Sequence, residues 1–302
     1  MMKLGLNTAI LPDFTFEEVV DIVSEFGYEC IEVCCWPKGK AQRRYAGVTH
    51  IDIDNLTEEK IEYYKNYAKQ KNVYISALGY YPNPLSENKE EAELAIEHII
   101  KLIKTAKMFG LELITTFIGK NKSKTIDENI VLMKNVWTPI MKIAEETGIK
   151  VAIENCPMYF SVDEWPGGNN LASTPYVWEE MFKISPNLGL NYDPSHPCLL
   201  GMDIEDAVYK YSDRIFHVHF KDIKILQDKV NIYGRFSYPG LWHAPKLPGL
   251  GDIDFSKYVS ALNEVGYKGS ACVEMEDRAF EGSFADTING IKRSANYMKT
   301  LL

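Results

Sequence analysis

Val73-Tyr-Ile-Ser-Ala-Leu78 is apolar nearly throughout. A half-exposed strand alternates apolar and polar residues, whereas a strand covered on both faces does not, so this run reads as part of a parallel sheet. A helical stretch at 57–71 precedes it and another at 88–109 follows it. Thr57-Glu-Glu-Lys and Ser86-Glu-Asn-Lys look like their N-caps, with early acids to meet the helix dipole. The same alternation runs outward to both ends of the chain. Strands are expected at 2–7, 28–35, 73–79, 111–118, 150–155, 187–193, 214–220 and 269–275, and helices at 15–26, 57–71, 88–109, 127–147, 174–184, 203–211, 254–265 and 283–301. Gly27, Gly110, Gly148 and Gly266 follow helices, where a left-handed C-cap is wanted. Eight βα units imply an α/β fold of the closed (β/α)8 TIM-barrel type, one domain over 1–302. A doubly wound open sheet is the alternative, but no Gly-rich phosphate turn follows the first strand.

The 302 residues carry a net charge of −9, which argues against a nucleic-acid partner. No apolar run approaches the length of a membrane span, and the first residues have no signal-peptide layout. The six cysteines (Cys30, Cys34, Cys35, Cys156, Cys198 and Cys272) are scattered without a CxxC pair, as suits reduced, buried thiols in a cytoplasmic protein.

Four strand ends carry chemistry: Val151-Ala-Ile-Glu154-Asn, Asn191-Tyr-Asp193-Pro-Ser-His196, His217-Val-His219-Phe-Lys221-Asp222 and Val273-Glu274-Met-Glu276-Asp277. Each ends an apolar run, and the C-terminal ends of barrel strands are where active sites are built. A carboxylate directly after a buried strand needs a partner, and a metal suits several together. The expected ligands are Glu154, Asp193, His219 and Glu274 around one divalent cation. Oxygen ligands with one imidazole suit Mn²⁺ first, with Zn²⁺, Co²⁺ or Fe²⁺ as alternatives. Taken singly, Asp193 reads equally as a turn-forming Asp-Pro and either strand histidine as a satisfied core residue. Their convergence reverses that judgement. His217 shares a face with His219 but lies one layer deeper.

The expected chemistry is proton abstraction beside a carbonyl, with Glu154 and Glu274 as acid and base and an enediolate held by the cation. Lys221 is placed to neutralise a substrate oxygen, and His196 to contact substrate. The loops at about 36–56, 80–87, 156–173 and 221–252 are long, all at C-terminal strand ends, and read as lids. Trp36, Trp165, His243, Arg278 and His217 complete the expected substrate contacts, and loop aromatics that merely pack the lids down are the competing reading.

Ile153-Glu-Asn, Asp193-Pro-Ser-His196, His217-Val-His219-Phe-Lys221-Asp222, Leu247-Pro-Gly-Leu-Gly-Asp-Ile253 and Glu274-Met-Glu-Asp277 together resemble the sugar phosphate isomerase/epimerase superfamily, the xylose isomerase-like barrels of AP endonuclease family 2, over essentially the whole chain. The resemblance implies that Glu154, Asp193, His219 and Glu274 hold a metal, often Mn²⁺, that the two glutamates transfer protons, and that His196 binds substrate. Ketohexose 3-epimerases carry a second glutamate where this chain has Phe160, and an arginine where it has Lys221-Asp222, so that branch fits less well. Arg43-Arg-Tyr-Ala-Gly-Val-Thr-His50 and Trp165-Pro-Gly-Gly-Asn-Asn-Leu171 look like a branch acting on 3-keto sugars. Its members epimerise them, dehydrate inososes or, as C-glycoside deglycosidase catalytic subunits, eliminate an aglycone.

The expected function is therefore metal-dependent isomerisation or epimerisation of a keto sugar, with β-elimination from a 3-keto glycoside as the alternative. The partners expected are a small-molecule sugar or glycoside, a second copy in an oligomer, and a small second subunit if the chain is of deglycosidase type. Endonuclease IV shares the barrel, but it needs three zinc ions and extra histidines, and between His50 and His196 this chain has only His98. A non-catalytic sugar-binding barrel would leave the metal site idle.

Overall fold

In the computed structural model, which describes residues 2–39, 45–158 and 168–302, eight parallel strands close into one barrel. In chain order the elements are β1 (Lys3–Asn7), α1 (Phe16–Glu25), β2 (Cys30–Cys34), α2 (Glu58–Gln70), β3 (Tyr74–Gly79), α3 (Lys89–Phe109), β4 (Leu113–Thr116), α4 (Ile126–Thr147), β5 (Lys150–Glu154), α5 (Pro175–Phe182), β6 (Leu188–Tyr192), α6 (Ser195–Leu200), α7 (Ile204–Lys210), β7 (Ile215–Phe220), β8 (Asp222–Ile225), α8 (Gln227–Tyr233), β9 (His243–Lys246), α9 (Phe255–Glu264), β10 (Ser270–Val273) and α10 (Phe284–Lys299). The sheet runs β1 through β7 in order, then β10, which pairs back onto β1. All eight expected strands and all eight expected helices are present. None of the helices among the described residues is long and apolar enough to cross a membrane.

The helices are fixed at their starts by the side chains the sequence supplies. Thr15 and Thr125 form capping boxes with Glu18 and Glu128, and Thr57 caps α2. One cap differs from expectation: α3 starts at Asn88 rather than Ser86, because the Asn88 amide oxygen accepts from Glu90 N at 3.1 Å and Glu91 N at 3.5 Å. Gly110 and Gly148 close α3 and α4 at φ 73° and 75°, a region open to glycine. The outward faces of the strands pack on this helical ring. Trp137 of α4 and Trp178 of α5 are fully buried, and each indole N–H is satisfied, by Ile118 O at 2.9 Å and Ala172 O at 2.7 Å.

The long connection after β7 is not plain loop. β8 and β9 form an antiparallel pair that opposes Asp222 to Lys246, with α8 between them. Its base is tied down by Asp222, whose carboxylate accepts from Ile223 N at 2.8 Å, Gly249 N at 3.0 Å, Gly251 N at 2.8 Å and Ile253 N at 3.1 Å. Gly251 is required by that closeness: a Cβ there would stand 2.2 Å from Asp222 Oδ1 and 2.4 Å from Ile223 O.

Candidate metal centre

The sheet register brings the chemistry to one level. Glu154 opposes Asn191, Asn191 opposes His217, and His219 opposes Cys272, the residue two before Glu274. One ligand atom from each of Glu154, Asp193, His219 and Glu274 lies within 4.8 Å of the others. Asp193 is held by Asn155, which accepts from Asp193 N at 2.8 Å and donates to Asp193 O at 3.0 Å. Asp193 Oδ1 accepts from Ser195 N at 2.7 Å, so the Asp-Pro is also the turn that starts α6. Asn170, inside the Trp165–Leu171 run, pins the far side by donating to Glu154 O at 2.9 Å and Cys156 O at 2.7 Å.

Lys221 and His196 supply the positive charge among these acids. The buried Lys221 ammonium lies 2.6 Å from Glu274 Oε2, 3.0 Å from Asp193 Oδ2 and 3.4 Å from Glu276 Oε2. His196 Nε2 is 3.2 Å from both Glu154 Oε1 and Asp193 Oδ2. Burial alone would lower the Lys221 pKa, but Asp193 and the glutamates hold it well above its usual value. The two glutamates are pushed apart. Burial and the nearby Glu274 raise Glu154, whereas at Glu274 burial is outweighed by Lys221 and His219 and the pKa falls.

Which group could take a cation is decided by the donor atoms it gathers. Among the described residues, Glu32, His217 and His219 also lie within ligand distance of one another, as do Glu154, Cys156 and His196. In the first of these groups His219 Nε2 already meets Glu32 Oε2 at 2.6 Å, and in the second His196 Nε2 meets Glu154. The four-residue group instead gathers three carboxylates around one imidazole: Asp193 Oδ2 is shared between Lys221 at 3.0 Å and His196 at 3.2 Å, and His219 Nδ1 faces Glu274 Oε2 at 3.5 Å. Three carboxylates and one imidazole nitrogen converging on one point are a donor set that fits a divalent cation.

Glu32 on β2 escaped the sequence reading. Its signal was an acid inside the apolar run Cys30-Ile-Glu-Val-Cys34, and it stands beneath the site with its carboxylate toward His219. Burial would raise its pKa, but His219 and a hydrogen bond from Thr115 bring it down to about 2.

Of the expected substrate contacts, Trp36 and Arg278 line a cleft of about 1370 Å³ above the barrel, together with Tyr80, Tyr81 and Tyr238. His196 and Lys221 line a smaller chamber of about 20 Å³ below it, roughly the room one water needs. His243 and Glu276 border both. His243 Nδ1 donates to Pro239 O at 2.6 Å, which leaves Nε2 as an acceptor. His217 must be corrected as a substrate contact: it is fully buried, lines neither space and donates from Nδ1 to Asn191 Oδ1 at 2.9 Å. Burial drops its pKa to about 4, so it is neutral. Trp165, Phe160 and Arg43 lie outside the described residues. His50 and His98 are structural, bonded to Thr8 and Leu11 and to Cys35 O.

The closed parallel barrel thus carries a carboxylate–imidazole cluster at the C-terminal ends of its strands, which places the chain among the TIM barrels. The model of the xylose isomerase-like TIM barrel family matches residues 20–301, and the chain belongs to that family. The inosose dehydratase of Clostridium perfringens is 23% identical over 314 residues, covering 99% of this chain and 97% of that one. The inosose isomerase of Bacillus velezensis is 22% identical over 286 residues, covering 91% and 88%. Among solved structures, the IOLI protein with a bound zinc atom superposes with a TM-score of 0.72 at 19% identity, over 100% of this chain and 99% of that one.

Proposed function

We propose that the protein is a divalent-metal-dependent enzyme that removes a proton beside the carbonyl of a keto sugar or cyclic keto polyol, and that the outcome is isomerisation or epimerisation. The observation that carries this reading is the convergence of one ligand atom each from Glu154, Asp193, His219 and Glu274 within 4.8 Å of one another. These four residues would hold the cation, which when bound supplies positive charge to a carbonyl and a neighbouring hydroxyl. The chain's own groups do the rest. Glu274, with its lowered pKa, is the carboxylate poised to accept the proton, and Glu154, with its raised pKa, is the one poised to return it. Lys221 lies 2.6 Å from Glu274 and brings a fixed ammonium to the oxygen on which negative charge develops. His196 orients that end of the substrate.

Elimination at the β-carbon is the second reading, favoured by similarity to an inosose dehydratase over nearly the whole chain. The cleft, larger than the roughly 300–1,000 Å³ of ordinary ligand pockets, also leaves room for a substituent on the sugar. The deciding experiment is incubation with Mn²⁺, inososes and 3-keto glucosides in D₂O. Deuterium at the α-carbon of a rearranged sugar supports isomerisation or epimerisation. Loss of water or of an aglycone supports elimination. No exchange with any keto sugar overturns both.

The metal itself is tested by titration calorimetry. The expected result is one Mn²⁺ per chain, with activity lost to a chelator and regained on adding Mn²⁺. Asp193→Asn, which removes a charge from the cage, is expected to weaken binding at least about tenfold, in line with loss of a charged ligand. Unchanged affinity in that variant would remove Asp193 from the ligand set.

A further inference from the structure

Glu32 is a buried acid with three hydrogen-bond donors around it. Tyr81 and Thr115 hydroxyls donate to Oε1, Thr115 at 2.6 Å, and His219 Nε2 lies 2.6 Å from Oε2. The neighbouring strand makes room for this meeting at Gly79, where a Cβ would come within 3.0 Å of both Glu32 Oε1 and Thr115 Oγ1. Asn191 Nδ2 closes the group, donating to the Tyr81 hydroxyl at 3.2 Å and standing 3.1 Å from His219 Nε2.

His219 can offer a lone pair on Nδ1 only if its ring hydrogen sits on Nε2. An ionised carboxylate accepts and never donates, and Oε2 at 2.6 Å stands closer to Nε2 than the Asn191 amide nitrogen at 3.1 Å, so the ring hydrogen belongs on Nε2. We infer that Glu32 is a positioning residue that fixes His219 as the Nε2–H tautomer and so makes Nδ1 available as a metal ligand. The inference rests on the metal site proposed above.

The chemistry of the surrounding donors gives it a sharp consequence. A glutamine at position 32 has the same shape, but one end of its amide accepts and the other donates. Tyr81 and Thr115 both give their hydroxyl hydrogens to this end of residue 32, so the amide oxygen is favoured there and the NH₂ turns to His219. Nε2 must then accept, the ring hydrogen moves to Nδ1, and the lone pair facing the carboxylates is lost. Glu32→Gln is therefore expected to weaken metal binding about 10–100-fold, the range for partners of metal-bound histidines. Removing the two competing donors frees the amide to turn round. The triple variant Glu32→Gln/Tyr81→Phe/Thr115→Val is expected to recover about tenfold in affinity over Glu32→Gln. A residue that merely filled space would not show improvement on further mutation.

The test is titration calorimetry with Zn²⁺ on the wild type, Glu32→Gln, the triple variant and the Tyr81→Phe/Thr115→Val control, with circular dichroism to confirm folding. Long-range ¹H–¹⁵N spectra of the Zn²⁺-loaded wild type then place the His219 ring hydrogen. The expected result is weakening in Glu32→Gln, recovery in the triple variant and a hydrogen on Nε2 in the wild type. Equal affinity in Glu32→Gln and wild type overturns the inference, as does a triple variant no better than Glu32→Gln. The wild-type spectrum decides it even where a variant does not fold, since a hydrogen on Nδ1 with Nε2 as the metal-bound atom is incompatible with it. Failure of the wild type to bind any divalent metal is a different result, and it removes the metal site itself.

Discussion

Replacing either Glu154 or Glu274 by glutamine is expected to lower turnover by about 10²–10⁴-fold, the range that positioned proton transfer contributes. Both side chains end barrel strands inside the same cluster, and a glutamine keeps the shape of each while abolishing its ability to carry a proton. Each is also a metal-ligand candidate, so bound metal must be measured alongside rate. The informative comparison is at saturating Mn²⁺ with matched occupancy. Isotope exchange then separates the two roles. Glu274→Gln is expected to abolish solvent exchange at the α-carbon. Glu154→Gln is expected to retain exchange while product formation fails, because the proton leaves and cannot be delivered to its new position. A metal-loaded variant with near-normal turnover would remove that glutamate from the proton path.

Asp222→Ala is expected to cost about 3 kcal/mol of stability, most of it local to residues 247–253. The alanine leaves four backbone N–H groups without the acceptor they share, those of Ile223, Gly249, Gly251 and Ile253. Loss of a charged acceptor costs more than an average hydrogen bond, and water entering the loosened loop returns part of it. Gly251→Ala is expected to produce the same phenotype by the opposite route, pushing a methyl into the space the carboxylate occupies. Urea unfolding gives the size of the effect, and hydrogen exchange its place. Unchanged exchange at 247–253 in both variants would mean that Asp222 is not what holds the loop.

The barrel was legible because strands covered on both faces are apolar throughout, as Val73–Leu78 is, and because glycines and capping side chains punctuate the helices. The cluster was legible because three of its four ligands stand where such a run ends, so the end of a strand and the position of a charge coincide at Glu154, Asp193 and Glu274. What escaped lacks those signals. The hairpin of β8 and β9 pairs short runs far apart in sequence, with Pro245 in one strand and no tight turn between them, so neither looks like a strand alone. α6 and α8, of six and seven residues, are too short to show a period. Glu32 is one acid in one strand, and only the closed barrel brings it beneath a histidine 187 residues away. The period of two sets His217 one layer deeper than His219, and that depth is what keeps it from the substrate spaces, neither of which it lines.

The Asp222–Lys246 pair also bears on how such a protein acquires new substrates. Everything between those two residues leaves and re-enters the barrel at one paired rung, where opposed Cα atoms are roughly 5 Å apart. A segment of different length or composition can close the same gap without moving a strand. The wide cleft is bordered by this segment, at Tyr238, Gly240 and His243, whereas Glu154 and Glu274 stand at strand ends and His196 on α6. Under the proposed function, recognition of what hangs from the sugar would be separable from the chemistry done to it. Exchanging residues 223–245 between relatives would be a change of clientele with the trade left intact.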